Sequence, residues 1–420
     1  MNRHSILPYN IHHVQLKTQD IPVTVPLELN KRYYIVFWWS NIALGHIYVE
    51  KNMAIDFTQK MFEAIIPTLK NYYDDDNHIN NIVEAYQSND LSNFSKLIEK
   101  TLAPYLLNDI PEKVDVSVVV CTRNRSESLK NCIESLNNQI CMPREIIIVD
   151  NAPSDSSTKE LVDKYENVNY YLEQRPGLSF ARNLGVKVAK YPILAYTDDD
   201  VEVDKLWVYR VWESFKSSDV MAMTGLVIAS SLETKSQQIF EKHWGFNKGY
   251  KDISFDFNHF KKPNDVPRVW EIGAGANMAF RKDVISELNY FDERLGAGAS
   301  GCSEDSEMWF RILLKGYKIV YNPRAVVFHE HRKEMNWLKK QLKSYMCGHV
   351  VSALVQDDFD KSIGYKKYSY YHLPRYYLFL ILHGFPKYEF RYQTLWSEIK
   401  GVILGMRFYN KNKNKPSYTL

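Results

Sequence analysis

Three consecutive carboxylates, Asp198, Asp199 and Asp200, end the apolar run YPILAYTDDDV at 191–201. A short apolar run bounded by Pro192 and by charge is the pattern of a buried strand, so the three acids are set where the chain leaves a core. Like charges held that close raise one another's pKa unless a cation neutralises them, and a hard divalent metal bound by oxygen is the simplest stable arrangement. A second triplet, Asp74, Asp75 and Asp76, follows two tyrosines in an Asn-rich context with no strand leading in, and reads as a solvated surface loop.

Two further stretches carry groups able to complete a reaction. SEDSEMWFRILLKG at 303–316 has Ser303 at the capping position, Glu304, Asp305 and Glu307 in the first turn, Trp309, Ile312 and Leu313 at helical spacing, and Gly316 as a stop. The helix dipole keeps an acid in that first turn ionised and ready to accept a proton, although acids in a first turn are also ordinary helix-start charge. VVFHEHR at 326–332 ends an apolar run in His329 and His331, which read either as metal ligands or as surface residues flanking a strand.

The elements that must position these groups alternate strictly from Pro111 onward. Strand 116–121 is followed by helix 126–138, strand 145–150, helix 156–165, strand 169–172, helix 178–189 and strand 193–197. This alternation predicts an α/β domain with a mostly parallel sheet and helices on both faces. In such sheets the carboxyl ends of the strands form the ligand crevice. Thr122, Arg123 and Asn124 follow the first strand, Asp150 and Asn151 the second, and the three aspartates the fourth. No GxGxxG follows the first strand and no GxxxxGK[ST] occurs, which disfavours a dinucleotide fold and removes the P-loop class.

The 420 residues are 45% hydrophobic and 25% charged with net charge +3, an ordinary globular composition that gives no reason to expect nucleic acid as a partner. Five cysteines without CxxC spacing read as reduced thiols, and the N-terminus has no apolar signal region. Together these predict a cytoplasmic protein. The longest apolar stretch of the tail, YYLFLIL at 376–382, is too short to cross a bilayer and reads as a core helix, with peripheral membrane contact as the second reading.

Residues 1–112 read as an accessory α+β region, with strands 33–39 and 46–49 around a Gly45 turn and helices 57–69 and 79–106. Trp38 and Trp39 read as a buried aromatic pair, with a ligand platform as the alternative. Residues 113–335 form the α/β domain. Residues 336–420 form a helical extension that begins with an amphipathic helix at 336–355 and ends in a disordered NKNKNK tail.

With these motifs in view, the segment 114–332 resembles the family 2 glycosyltransferases, which have the nucleotide-diphospho-sugar transferase (GT-A) fold. The resemblance rests on VSVVVCTRNR, IIIVDNAPSD, RPGLSFARNLG, AYTDDDV, GAGANMAFRKDV with FDERLGAG, SEDSEMWFR and VVFHEH, in that order. It implies an inverting transfer of sugar from a nucleotide-diphospho-sugar, a UDP-sugar being favoured, to a hydroxyl of a glycan, lipid-linked or protein acceptor. Thr122, Arg123 or Asn124, with Asp150, would hold base and ribose. Arg175 and Arg182 would lie beside the nucleotide, and Asp198 would lie on the ribose side with Asp199 next to it. Asp200 with His329 or His331 would bind Mn²⁺ or Mg²⁺, Asp305 would be the base, and Glu304 would orient the acceptor. Peripheral association with the inner face of the membrane is compatible with such an acceptor. A nucleotidyltransferase on the same sheet and a metal-dependent glycan-binding protein are the alternatives.

Overall fold

In the computed structural model, which describes residues 7–17, 25, 27–52, 55–107, 109–256, 258 and 266–418, an N-terminal sheet leans on a larger central one. The first contains β1 (Tyr9–Gln15), β2 (Arg32–Trp39) and β3 (Ile42–Val49), with β1 parallel and β3 antiparallel to β2. Strand β2 is apolar on both faces because both are covered. Tyr34, Val36 and Trp38 join the core of the central sheet, whereas Tyr33, Ile35, Phe37 and Trp39 pack with Met61, Ile82 and Phe94 of the local helices. Trp38 and Trp39 are 4% and 0% exposed, so the pair is core and not a ligand platform.

Several expectations for this region are corrected. The turn between β2 and β3 is at Ser40, whose φ is +53°, and Gly45 lies inside β3, where an added Cβ would stand 2.4 Å from the carbonyl oxygen of Ala64. The single helix expected over 79–106 is two, Asp76–Gln87 and Leu91–Leu102, because Asp90 caps the second by accepting from the amide of Asn93. The triplet at 74–76 is not simply a loop, since the Asp75 carboxylate accepts from the amides of Asn77 and His78 and starts a helix.

The central sheet contains β4 (Lys113–Thr122), β5 (Met142–Asn151), β6 (Val168–Glu173), β7 (Ile193–Asp198), β8 (Val201–Val203), β9 (Val220–Ala229), β10 (Ile253–Phe255), β11 (Asn277–Arg281) and β12 (Lys318–His329). Its order is β10-β12-β9-β11-β7-β4-β5-β6, with β8 paired to β12. Strands β7, β4, β5 and β6 are mutually parallel, so their carboxyl ends open on one edge, as the alternation of elements predicts. Strand β11 enters antiparallel between β7 and β9. Helices cover both faces: Val116, Val118 and Val120 of β4 pack with the helix Ser126–Asn137, and Val119 packs with Ala181 and Val186 of the helix Leu178–Val188. The apolar run that ends in VVFHEHR belongs to one long strand, β12, interrupted by a bulge between Asn322 and Val326.

The C-terminal extension begins with the helix Met335–Phe359, which packs along the helix Leu395–Asn412. The NKNKNK run is helical as far as Asn412, so the disorder expected from its composition does not begin there. The YYLFLIL stretch forms the helix Leu373–Gly384, but Tyr376, Leu378, Phe379 and Leu382 are exposed, which corrects its reading as a core helix. Among the described residues no helix is long and apolar enough to cross a membrane.

Asn277 pins the middle of the sheet. Its Nδ2 donates to the carbonyls of Leu226 (3.0 Å) and Ala325 (2.9 Å), and its Oδ1 accepts from the Trp207 indole (2.9 Å). Asn277→Leu leaves all three partners buried and unpaired, and urea denaturation should show a loss of about 2–4 kcal/mol.

Candidate active site

Strand β7 delivers its acids to the carboxyl edge of the sheet, at the floor of a cavity of about 2310 Å³. Asp199 is the most enclosed of the three. It accepts from the Thr122 hydroxyl at 2.7 Å and from Arg125 Nη1 at 2.6 Å. The same Arg125 nitrogen reaches Asp200 at 3.0 Å, and Arg332 Nη2 lies 3.5 Å from that carboxylate. Asp198 faces the cavity with its side chain 38% exposed. Burial raises the Asp198 carboxyl to about 7 and that of Asp199 to about 6; Arg182 and Arg125 oppose this, and the neighbouring aspartates reinforce it. Around this floor Arg125, Arg182 and Arg332 stand among the carboxylates of Asp198, Asp199, Asp200 and Glu304.

Asp198, Asp200 and His329 each offer a ligand atom, and the three atoms lie within 4.8 Å of one another. Two carboxylate oxygens and one imidazole nitrogen suit Mn²⁺ or Mg²⁺, so the donor set fits the expected metal. His329 Nε2 lies 3.5 Å from Asp200, and burial lowers the imidazole to about 4, which keeps it neutral.

His331 stands outside this trio. Its Nε2 meets the Glu241 carboxylate at 2.8 Å and its Nδ1 meets His329 Nδ1 at 3.0 Å. Glu241 fixes the ring of His331, and His331 in turn fixes the ring of His329 through its Nδ1, which presents Nε2 to Asp200. The two histidines thus form a relay in which the second orients the first.

Arg182 links this floor to the helix Glu304–Leu314. The guanidinium, 3% exposed, donates from Nη1 to Glu304 Oε1 at 2.5 Å, and Nη2 lies 3.8 Å from Asp198. Glu304 is itself buried, its carboxyl raised by burial against the pull of Arg182, and its Oε2 has no partner. Asp305 lines the cavity. Its Oδ1 accepts from the amide of Ser306 at 2.6 Å, which leaves Oδ2. A Cβ added at Gly275 would stand 2.8 Å from Arg182 Nη2 and 3.1 Å from Asp305 Oδ2, so glycine is what lets β11's approach run beside both. Ser303 occupies the capping position but makes no side-chain cap, because its left-handed backbone (φ +71°) turns the hydroxyl to Cys302 Sγ.

The remaining residues named from the sequence divide into two groups. Thr122 and Arg123 line the cavity. Asn124 is not among the lining residues and sits in a left-handed turn with φ +55°, where its Oδ1 accepts from the amide of Ser154. Asp150 is wholly buried, accepts from the Tyr170 hydroxyl at 3.0 Å and keeps Oδ1 unpaired; burial raises its carboxyl. Arg175 pairs with Glu173 and stacks over Phe180, and its carbonyl accepts from Asn151. Sequence reasoning passed over Arg125, Glu241, Gly275 and Arg332 as site residues. Arg125 had a signal, standing beside Asn124 after the first strand; Glu241 had none, since only the fold brings it to His331.

The chain matches the family model of glycosyl transferase family 2 over residues 117–288. It is 25% identical over 235 residues to a glucosyl-dolichyl phosphate glucuronosyltransferase of Haloferax volcanii, covering 53% of this chain and 72% of that protein. It is 26% identical over 252 residues to a chondroitin synthase of Escherichia coli, covering 53% of this chain but only 36% of the synthase. Among solved structures it is similar to a mannosyltransferase of Pyrobaculum calidifontis in complex with GDP-Man and Mn²⁺, with TM-score 0.48 and 14% identity over 83% of this chain and 98% of that one.

Two outcomes are expected. Since Asp198 titrates near 7 and His329 is neutral above about 4, Mn²⁺ must displace a proton from the acid but none from the imidazole. Calorimetric titrations should show affinity falling about tenfold per pH unit below 7, with about one proton released at pH 6 and almost none at pH 8. Arg182→Met leaves Glu304 buried and unpaired and should cost about 3–5 kcal/mol in denaturant unfolding, with Glu304→Gln in the same chain recovering part of the loss.

Proposed function

We propose that the protein is an inverting glycosyltransferase that moves a sugar from a nucleotide-diphospho-sugar, a UDP-sugar in the first instance, to a hydroxyl of a glycan, lipid-linked or protein acceptor. The observation that carries this reading is that the trio Asp198, Asp200 and His329 and the carboxylate of Asp305 line one cavity, with room for donor and acceptor together. Relatives named for glucuronosyl transfer onto a glucosyl-dolichyl phosphate and for chondroitin synthesis support sugar transfer onto a glycan or a lipid-linked sugar.

In this reading Asp198, Asp200 and His329 hold Mn²⁺ or Mg²⁺. Bound there, the cation supplies Lewis-acid stabilisation of the departing diphosphate. Thr122 fixes Asp199, and Arg125 bridges Asp199 and Asp200, so the floor is rigid before the donor arrives. Asp305 Oδ2 takes the proton of the acceptor hydroxyl as its oxygen attacks the anomeric carbon, while the bond from that carbon to the phosphate oxygen breaks on the opposite side. Glu304 acts through Arg182: it holds the guanidinium that stands between Asp198 and the edge carrying Asp305.

Asp305→Asn keeps the shape of the site and removes the proton acceptor. Transfer from a UDP-sugar, measured as release of UDP in the presence of acceptor, should fall at least about 10²–10⁴-fold while UDP affinity in Mn²⁺ stays within about threefold of the parent. A parallel collapse of UDP binding would remove Asp305 from the role of base.

A further inference from the structure

The helix Leu373–Gly384 is apolar on the side that faces away from the protein. Leu373, Tyr377 and Leu380 are buried, but Leu378 is 56%, Phe379 52% and Leu382 66% exposed, and Phe385, just past the helix, is 72% exposed. Soluble proteins seldom leave such an apolar face uncovered. The neighbouring helix Leu395–Asn412 adds a second stripe, with Trp396, Lys400, Ile403, Leu404 and Arg407 all exposed at successive positions of one helical face. Two of its five members are basic and three are apolar, the composition of a helix lying in a membrane interface.

Charge points the same way. Residues 364–420 hold ten Lys and Arg against two Glu, a net charge of +8, whereas residues 1–363 hold 43 basic against 48 acidic residues, a net charge of −5. The small overall charge therefore conceals a polarised molecule whose cationic end is also its apolar end. Neither helix can span a bilayer. Long Lys and Arg side chains among exposed Leu, Phe and Trp suit an anionic lipid surface, because their stems lie along acyl chains while their heads reach phosphate. Tyr376 and Leu404 belong both to this face and to the lining of the large cavity, so the cavity borders it.

We propose that the two C-terminal helices dock this protein on an anionic lipid bilayer, lying in the plane of the interface with the cavity bordering the lipid. Docking goes beyond the transfer reaction and does not depend on it, so its test reads lipid binding alone. The full chain is sedimented with vesicles of equimolar phosphatidylcholine and phosphatidylglycerol and with vesicles of phosphatidylcholine only. Binding to the mixed vesicles is expected to be at least about tenfold tighter than to the neutral ones and to weaken with added salt. Leu378→Asp with Leu382→Asp should lower it at least about tenfold, and Lys400→Glu with Arg407→Glu should remove the preference for the anionic lipid, both with unchanged melting temperature. The proposal is overturned if the parent chain fails to sediment with the mixed vesicles, or if either folded variant sediments like the parent. It is equally overturned if light scattering finds a dimer that the Leu378→Asp and Leu382→Asp pair dissociates, since a second copy would then be the occupant of this face.

Discussion

The constraint that organises this protein is negative charge concentrated at the end of a buried strand. Three aspartates leave the core together at the carboxyl end of β7, where solvation is poor, and burial pushes two of them toward neutrality. The fold answers with guanidiniums from three separate segments: Arg125 after β4, Arg182 on the helix Leu178–Val188, and Arg332 after β12. They neutralise part of the charge and hold the carboxylates in place. Asp198 and Asp200 converge there with the imidazole of His329, each offering a ligand atom within 4.8 Å of the others.

Elements remote from that floor matter because they hold its second layer. Glu241, which orients His331 and through it His329, sits on the helix Lys235–Trp244. That helix is tied to the N-terminal sheet: Gln238 accepts from Arg32 at 2.9 Å and Lys242 donates to the Tyr9 hydroxyl at 2.9 Å. Phe328, next to His329, is bracketed by His13 and Trp38 of the same sheet. The N-terminal region therefore does mechanical work on the imidazole relay, and the shared core that makes β2 apolar on both faces is the price of that rigidity. The C-terminal helices wall the cavity with His349, Tyr368 and Tyr377, so the space is built from the central domain and the C-terminal extension together.

Legibility in the sequence followed the range of the interactions concerned. The parallel strands β4 to β7 and their helices were readable because each is a local apolar pattern with its own caps and stops. The same holds for the helix that opens with Glu304 and Asp305. Errors arose where a local signal had two structural meanings. Asp75 and Asp90 look like solvated polar residues until their carboxylates are seen capping helices. The run at 376–382 is as apolar as a core helix, and only its placement shows which side is covered.

The succession of strands and helices from β4 to β7 and the residue types at the strand ends were determined by the sequence alone, because periodicity and side-chain chemistry are written in neighbouring positions. It left open which histidine faces Asp200, since His329 and His331 differ only by the partners each meets in space. Tertiary structure decided that through Glu241, a residue 90 positions from His331. It also separated the roles of Glu304 and Asp305, adjacent in the chain yet one buried against Arg182 and the other lining the cavity, because a helix turns successive side chains about 100° apart and only packing fixes which direction is inward.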